Sequence, residues 1–183
     1  MKAVLLSIKP KYCELIASGE KTIEIRKTQP TLCVPFKVYI YQTLPKYGDW
    51  NEQDGRIIGE FICDYISKLP PIEDIVYCSE YKKACLSVDT IKEYAKGKQL
   101  YGWHISNLKI YDKPKELSDF GVLCPEFSKD SPICEGCRYE NTLYNGLEPP
   151  EFDCKCDGFK PLTRPPQSWC YVDELVCNYD AWN

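Results

Sequence analysis

Histidine occurs once in this 183-residue chain, at His104. A pair of histidines passing protons across a scissile phosphate is therefore excluded, and RNA cleavage would fall to Lys, Glu or Arg. A single His beside Trp103 in a strand reads first as a core or pocket-wall residue. An apolar run long enough to cross a bilayer is also missing, and the opening MKAVLLSIKP turns polar too soon for a secretory signal. The expectation is a soluble, cytoplasmic protein with no membrane partner. Excess positive charge is lacking too. The formal net charge of −4 argues against a protein that coats long duplex non-specifically. No internal repeat is found, and strands do not alternate regularly with helices, which disfavours a doubly wound sheet.

What is present is unevenly distributed. Residues 1–40 carry seven Lys/Arg against three Asp/Glu, whereas residues 124–183 carry five against eleven. The basic N-terminal part suits a few phosphates or a single nucleotide. Twelve cysteines, in a chain without a secretory signal, point to thiols and metal ligands before disulfides. Cys13, Cys33, Cys63, Cys78 and Cys85 are scattered through apolar and helical stretches, while Cys124, Cys134, Cys137, Cys154 and Cys156 crowd into one segment.

Residues 3–8 read as a buried strand and residues 9–19 as a short helix stopped by Gly19. TIEIRK (22–27) alternates, so Thr22, Glu24 and Arg26 share one face and Ile23 and Ile25 the other. FKVYIYQ, GRIIGEFICDYI and YGWHISNLKIY read as three further strands, and DTIKEYAKG as a second helix with Asp89 at its N-cap. From Lys113 to Pro166 the composition shifts to Pro, Gly, Cys and acidic residues, before QSWCYVDELV returns to strand character. The expected architecture is α+β: a partly closed barrel over residues 1–120, a Cys-rich insertion over 121–161, and a last strand with its tail over 162–183.

The run S-I-K-P-K-Y (7–12), followed by G-E-K-T-I-E-I-R (19–26), resembles the signature of the ASCH family, which couples a short helix to a G-x-K-x-x-E-x-R strand. G-R-I-I-G-E-F (55–61), Y-G-W-H-I-S-N-L (101–108) and P-P-Q-S-W-C-Y-V (165–172) resemble the later strands of phage and bacterial members. The resemblance implies a PUA-like barrel with a cleft beside the first helix. It also implies a role among those of the family: RNA binding, RNA cleavage, or hydrolysis of N4-acylated cytidine. In the hydrolase members a Lys, a Thr and a Glu act together. The Lys matches Lys21 and the Glu matches Glu60, but Glu24 stands where the hydrolase members have their Thr. A carboxylate can act as acid, base or acceptor but does not replace a hydroxyl nucleophile.

Binding therefore ranks above hydrolysis. The expected ligand is RNA, single-stranded nucleic acid or a modified nucleoside, held by Lys9, Lys21, Glu24, Arg26, Trp103 and Trp169. Glu24 would accept from a base amino group, Lys9 and Arg26 would meet phosphate, and the two Trp rings would stack. Two other readings stay open: an amidohydrolase or ribonuclease using Lys21, Glu24 and Glu60, and a protein-interaction module using the acidic Cys-rich lobe. Glu24 and Arg26 could equally form a plain ion pair. Glu60, in an apolar strand, needs a partner, and Lys21 is the natural one.

In the Cys-rich segment, C-x2-C at Cys134 and Cys137 gives the tight knuckle that zinc prefers, with Cys124 and Cys156 (or Cys154) completing a tetrahedral structural site. An iron–sulfur cluster takes the same four thiolates. A segment this poor in apolar residues needs a metal to hold it together. Elemental analysis of the full chain is expected to return one zinc, largely lost in Cys134→Ser. A metal-free sample with an unchanged thermal transition would rule this out.

Overall fold

The computed structural model describes residues 2–45, 51–70, 78–123 and 159–173. Ten strands, three α-helices and a 3-10 turn at Leu117–Asp119 appear among them: β1 Lys2–Ile8, α1 Pro10–Ala17, β2 Ile23–Arg26, β3 Phe36–Gln42, β4 Ile57–Cys63, β5 Ile66–Lys68, α2 Ser79–Lys83, α3 Val88–Ala95, β6 Tyr101–His104, β7 Ser106–Lys115, β8 Gly121–Leu123, β9 Phe159–Pro161 and β10 Trp169–Asp173. The strands make a seven-stranded sheet in the order β7-β4-β3-β1-β10-β8-β9 and a three-stranded sheet in the order β2-β6-β5. The class is α+β as expected, built from two sheets rather than one closed barrel.

β1 lies at the centre of the larger sheet, parallel to β3 and antiparallel to β10. Side chains alternate across a strand, and β1 uses both faces. Val4, Leu6 and Ile8 join Phe36, Val38, Ile40, Phe61 and Trp103 in one core, while Ala3 and Leu5 join Tyr39, Tyr41, Phe120 and Val172 in another. Burial on both faces is why residues 3–8 read as a continuous apolar run. A third cluster, including Ile25, Leu69, Tyr81, Ile91 and Leu100, packs α2 and α3 against the smaller sheet.

α1 starts with Pro10 in its first turn, where the missing N–H costs nothing, and ends at Ser18 followed by Gly19 with φ +80°. For α3 the cap is Ser87, whose hydroxyl accepts from Thr90 N at 3.2 Å, and not Asp89. Two expected strands are each split. GRIIGEFICDYI breaks at the exposed Asp64 and Tyr65, so that β4 and β5 enter different sheets. YGWHISNLKIY breaks at Ile105, whose N–H donates to Thr22 O at the end of the β2–β6 pairing before β7 enters the larger sheet. Periodicity alone cannot show a strand changing sheets. At Gly59 a Cβ would lie 2.5 Å from the Lys109 carbonyl, so the β4–β7 register admits only glycine there.

β8 and β9 pair with each other, and β8 also pairs with β10. Residues 121–123 and 159–161, expected within the insertion, are therefore part of the larger sheet. The five clustered cysteines and Cys177 lie outside the described residues.

Burial pushes the Cys63 thiol up to about 12 and raises Cys13 further, whereas Cys33 is exposed. Iodoacetamide at mild alkaline pH is expected to label Cys33 in the folded protein and to spare Cys13 and Cys63, as read by peptide mass mapping. Fast native labelling of Cys13 would contradict the packing of α1 on β1.

Candidate functional site

β2 carries the chemistry. Ile23 is fully buried and Ile25 packs in the cluster beneath α2 and α3, which turns Glu24 and Arg26 to the opposite face. That face is not solvent: Lys21, Glu24 and Arg26 are 1%, 7% and 8% exposed. Lys21 Nζ lies 3.1 Å from Glu24 Oε2, and Arg26 Nη2 lies 3.0 Å from Glu24 Oε1. One carboxylate is thus clamped between two cations inside the protein.

Each cation is also anchored to backbone. Lys21 Nζ donates to Ile23 O at 2.9 Å and to Ala84 O at 2.7 Å, so with Glu24 its three N–H groups are all engaged. Arg26 Nη2 donates to Ser7 O at 2.7 Å, and Nη1 lies 3.4 Å from Ser168 Oγ. Arg26 Nε is buried and has no acceptor among the described residues. Glu24 uses one lone pair on each oxygen for these cations and keeps acceptor capacity on both.

This triad lines a cavity of about 720 Å³, walled by the end of β1, the start of α1, α3 and residues 165–167. Ser7 Oγ donates to Pro166 O at 2.6 Å and tethers that last wall to β1. Lys9 and Tyr12 come from α1 and its cap, Thr90, Glu93, Tyr94 and Lys96 from α3 and its end, and Lys27 follows β2. Lys27 Nζ stands 4.7 Å from the centroid of the Tyr94 ring, and Lys21 Nζ 5.4 Å from that of Tyr12.

Of the residues singled out in the sequence, Lys9, Lys21, Glu24 and Arg26 converge here. Trp103 does not. It is fully buried, 5.8 Å from the Phe36 ring and 5.8 Å from the Trp169 ring, and belongs to the core. Trp169 is half-buried, and its Nε1 donates to Thr28 Oγ1 at 3.0 Å. Neither Trp lines the cavity, where the expectation had placed both; the aromatic rings that line it are Tyr12 and Tyr94. Neither tyrosine carries a local signal beyond its helical position.

Glu60 is also elsewhere. It accepts from Tyr111 Oη at 2.5 Å and lies 3.9 Å from Lys37 Nζ, on a strand that does not contribute to the cavity. The expected Lys21–Glu60 pair is replaced by Lys21–Glu24, because the chain returns a carboxylate to Lys21 three residues later. His104 is half-buried, with Nε2 3.4 Å from Glu80 Oε1 and its ring 5.1 Å from that of Tyr65. The thiols proposed as metal ligands, Cys124, Cys134, Cys137 and Cys156 with Cys154 as the alternative, fall outside the described residues, so this site stands on spacing.

The motif that shapes the cavity floor lies inside residues 6–129, which match the model of the ASCH domain. The chain belongs to the ASCH domain family. Among solved structures, ASCH from Zymomonas mobilis is similar at a TM-score of 0.57 with 17% identity, covering 94% of this chain and 88% of that one. A point mutant of the same protein gives 0.57 and 18%, covering 95% and 92%. At such identity the likeness concerns the fold. No curated protein matches the chain. Among the described residues no helix is long and apolar enough to cross a membrane.

Removing Glu24 would leave two buried cations without their counter-charge. Glu24→Ala is expected to cost about 3–5 kcal/mol in urea unfolding. The double variant Lys21→Met/Glu24→Leu should recover part of that loss. A single variant as stable as the parent would show the triad to be solvated.

Proposed function

We propose that this ASCH protein binds one base-bearing unit, from RNA, another single strand or a modified nucleoside, in the cavity above the Lys21–Glu24–Arg26 triad. The observation that carries the reading is a concave, cationic site whose floor holds a rigid carboxylate with spare acceptor capacity beside an arginine Nε that has no acceptor among the described residues. An exocyclic amino group donating to Glu24 and a ring nitrogen or carbonyl accepting from Arg26 form the pairing that an amino-bearing base offers. Tyr12 gives that base a ring to pack against. ASCH domains are generally nucleic-acid-binding, which agrees with this assignment.

Recognition is favoured over proton transfer by Lys21 and Glu60. All three Lys21 donors are taken up by the protein, and Glu60 is held by Tyr111 and Lys37 away from the cavity. Lys21 is accordingly a positioning residue that sets Glu24.

A thermal-shift panel should rank cytidine-type and adenosine-type ligands, N4-acetylcytidine and short single-stranded RNA included, above uridine. Tyr12→Ala should reduce the shift. The binding reading falls if nothing in the panel moves the transition, and the role of Glu24 falls if uridine ligands do as well as the amino-bearing ones. Release of acetate from N4-acetylcytidine, followed in parallel, reports any turnover.

A further inference from the structure

Floor and rim of the cavity differ in charge. On the floor, Glu24 offsets one of the two cations that hold it. On the rim, Lys9, Lys27 and Lys96 face one carboxylate, Glu93. Among the described residues none of these three lysines is in a salt bridge. Surface lysines usually mean only solvation, but two of these are placed by the fold. Lys27 rests on the Tyr94 ring, which keeps its ammonium on the α3 wall. Lys96 caps α3 in the left-handed conformation, φ 49°, where the chain turns away from the helix. The rim surplus is two positive charges, whereas a base needs none.

We propose that this rim is a phosphate subsite, so that the cavity's ligand is a nucleotide with a terminal phosphate, free or at the end of an RNA strand, rather than an unphosphorylated nucleoside. The inference rests on the base-binding reading and narrows it. A phosphate monoester carries roughly −1.5 to −2 at neutral pH and so balances the rim. A chain diester carries half as much. The volume agrees: about 720 Å³ lies well within the range of sites that enclose a whole small ligand. Lysine serves here as a point charge, which tolerates more than one phosphate orientation.

Titration calorimetry with cytidine, cytidine 5′-monophosphate, cytidine 3′-monophosphate and ribose 5-phosphate tests this on the full chain. A monophosphate is expected to bind about tenfold more tightly than the nucleoside, an advantage that shrinks with added salt. Lys27→Gln/Lys96→Gln should remove most of the advantage. Lys68→Gln/Lys82→Gln, which removes the same two charges from exposed residues of β5 and α2 outside the cavity, should keep it.

Equal binding of nucleoside and monophosphates overturns the phosphate subsite and leaves the base reading standing. An advantage lost equally in Lys68→Gln/Lys82→Gln reflects the overall field, which also overturns the subsite. Ribose 5-phosphate binding as well as the nucleotide would retain the subsite and sink the base reading. Absence of binding by all four ligands sinks both. Pentanucleotides with and without a 5′-phosphate separate the sources: a phosphate-dependent gain on the strand identifies an RNA end, and a gain confined to the monomer identifies a free nucleotide.

Discussion

The carboxylate of Glu24, enclosed between the Lys21 ammonium and the Arg26 guanidinium, is the interaction on which the arrangement depends. Buried charge is tolerated only when paired and hydrogen-bonded, and here each partner of the pair also binds backbone from a different part of the chain. Lys21 holds the carbonyl of Ala84 at the end of α2, and Arg26 holds the carbonyl of Ser7 near the end of β1. A four-residue strand thus joins both sheets and the helical layer at one point. The cavity is the space left where these elements meet around a polar cluster that apolar side chains cannot fill.

The same clamp decides what the site can do. A saturated lysine is a poor candidate for attacking or relaying a proton, but it is a good strut. It holds the carboxylate in one orientation before any ligand arrives, so little rearrangement is needed on binding. In the hydrolase members that this sequence resembles, a hydroxyl stands where Glu24 is. Here the position is acidic, and both neighbouring cations have turned toward it. The departure in sequence and the geometry of the triad meet at one position, where a carboxylate paired with two cations stands in place of a hydroxyl.

Much of this could be read in advance. The apolar run of β1, the helix bracketed by Pro10 and Gly19, and the alternation of β2 follow from local periodicity and backbone preference, and the structure retains them. Convergence of Lys9, Lys21, Glu24 and Arg26 was legible because all four lie within one short strand–helix–strand stretch. Glu60, Trp103 and Trp169 were misplaced for a common reason. Each lies far from that stretch in the chain, and which face of a strand meets which neighbour is set by pairing register. Trp103 sits directly opposite Glu24 in the β2–β6 ladder, yet it fills the core beside Phe36 rather than the cavity. Tyr94 and Lys96 were missed because nothing local marks a helix as a wall.

Composition and spacing by themselves determined the α+β class, the basic N-terminal part, the strand that bears the charged residues and the grouping of cysteines toward the C-terminus. These properties are local, since they depend on neighbours in sequence and on the period of a single element. Tertiary structure alone decided that Glu24 answers Lys21, that Glu60 answers Tyr111 and Lys37, and that tyrosines rather than tryptophans border the cavity. Those choices depend on which strands enter which sheet, and a chain that breaks at Tyr65 and Ile105 to change sheets leaves no periodic trace of where each half will go.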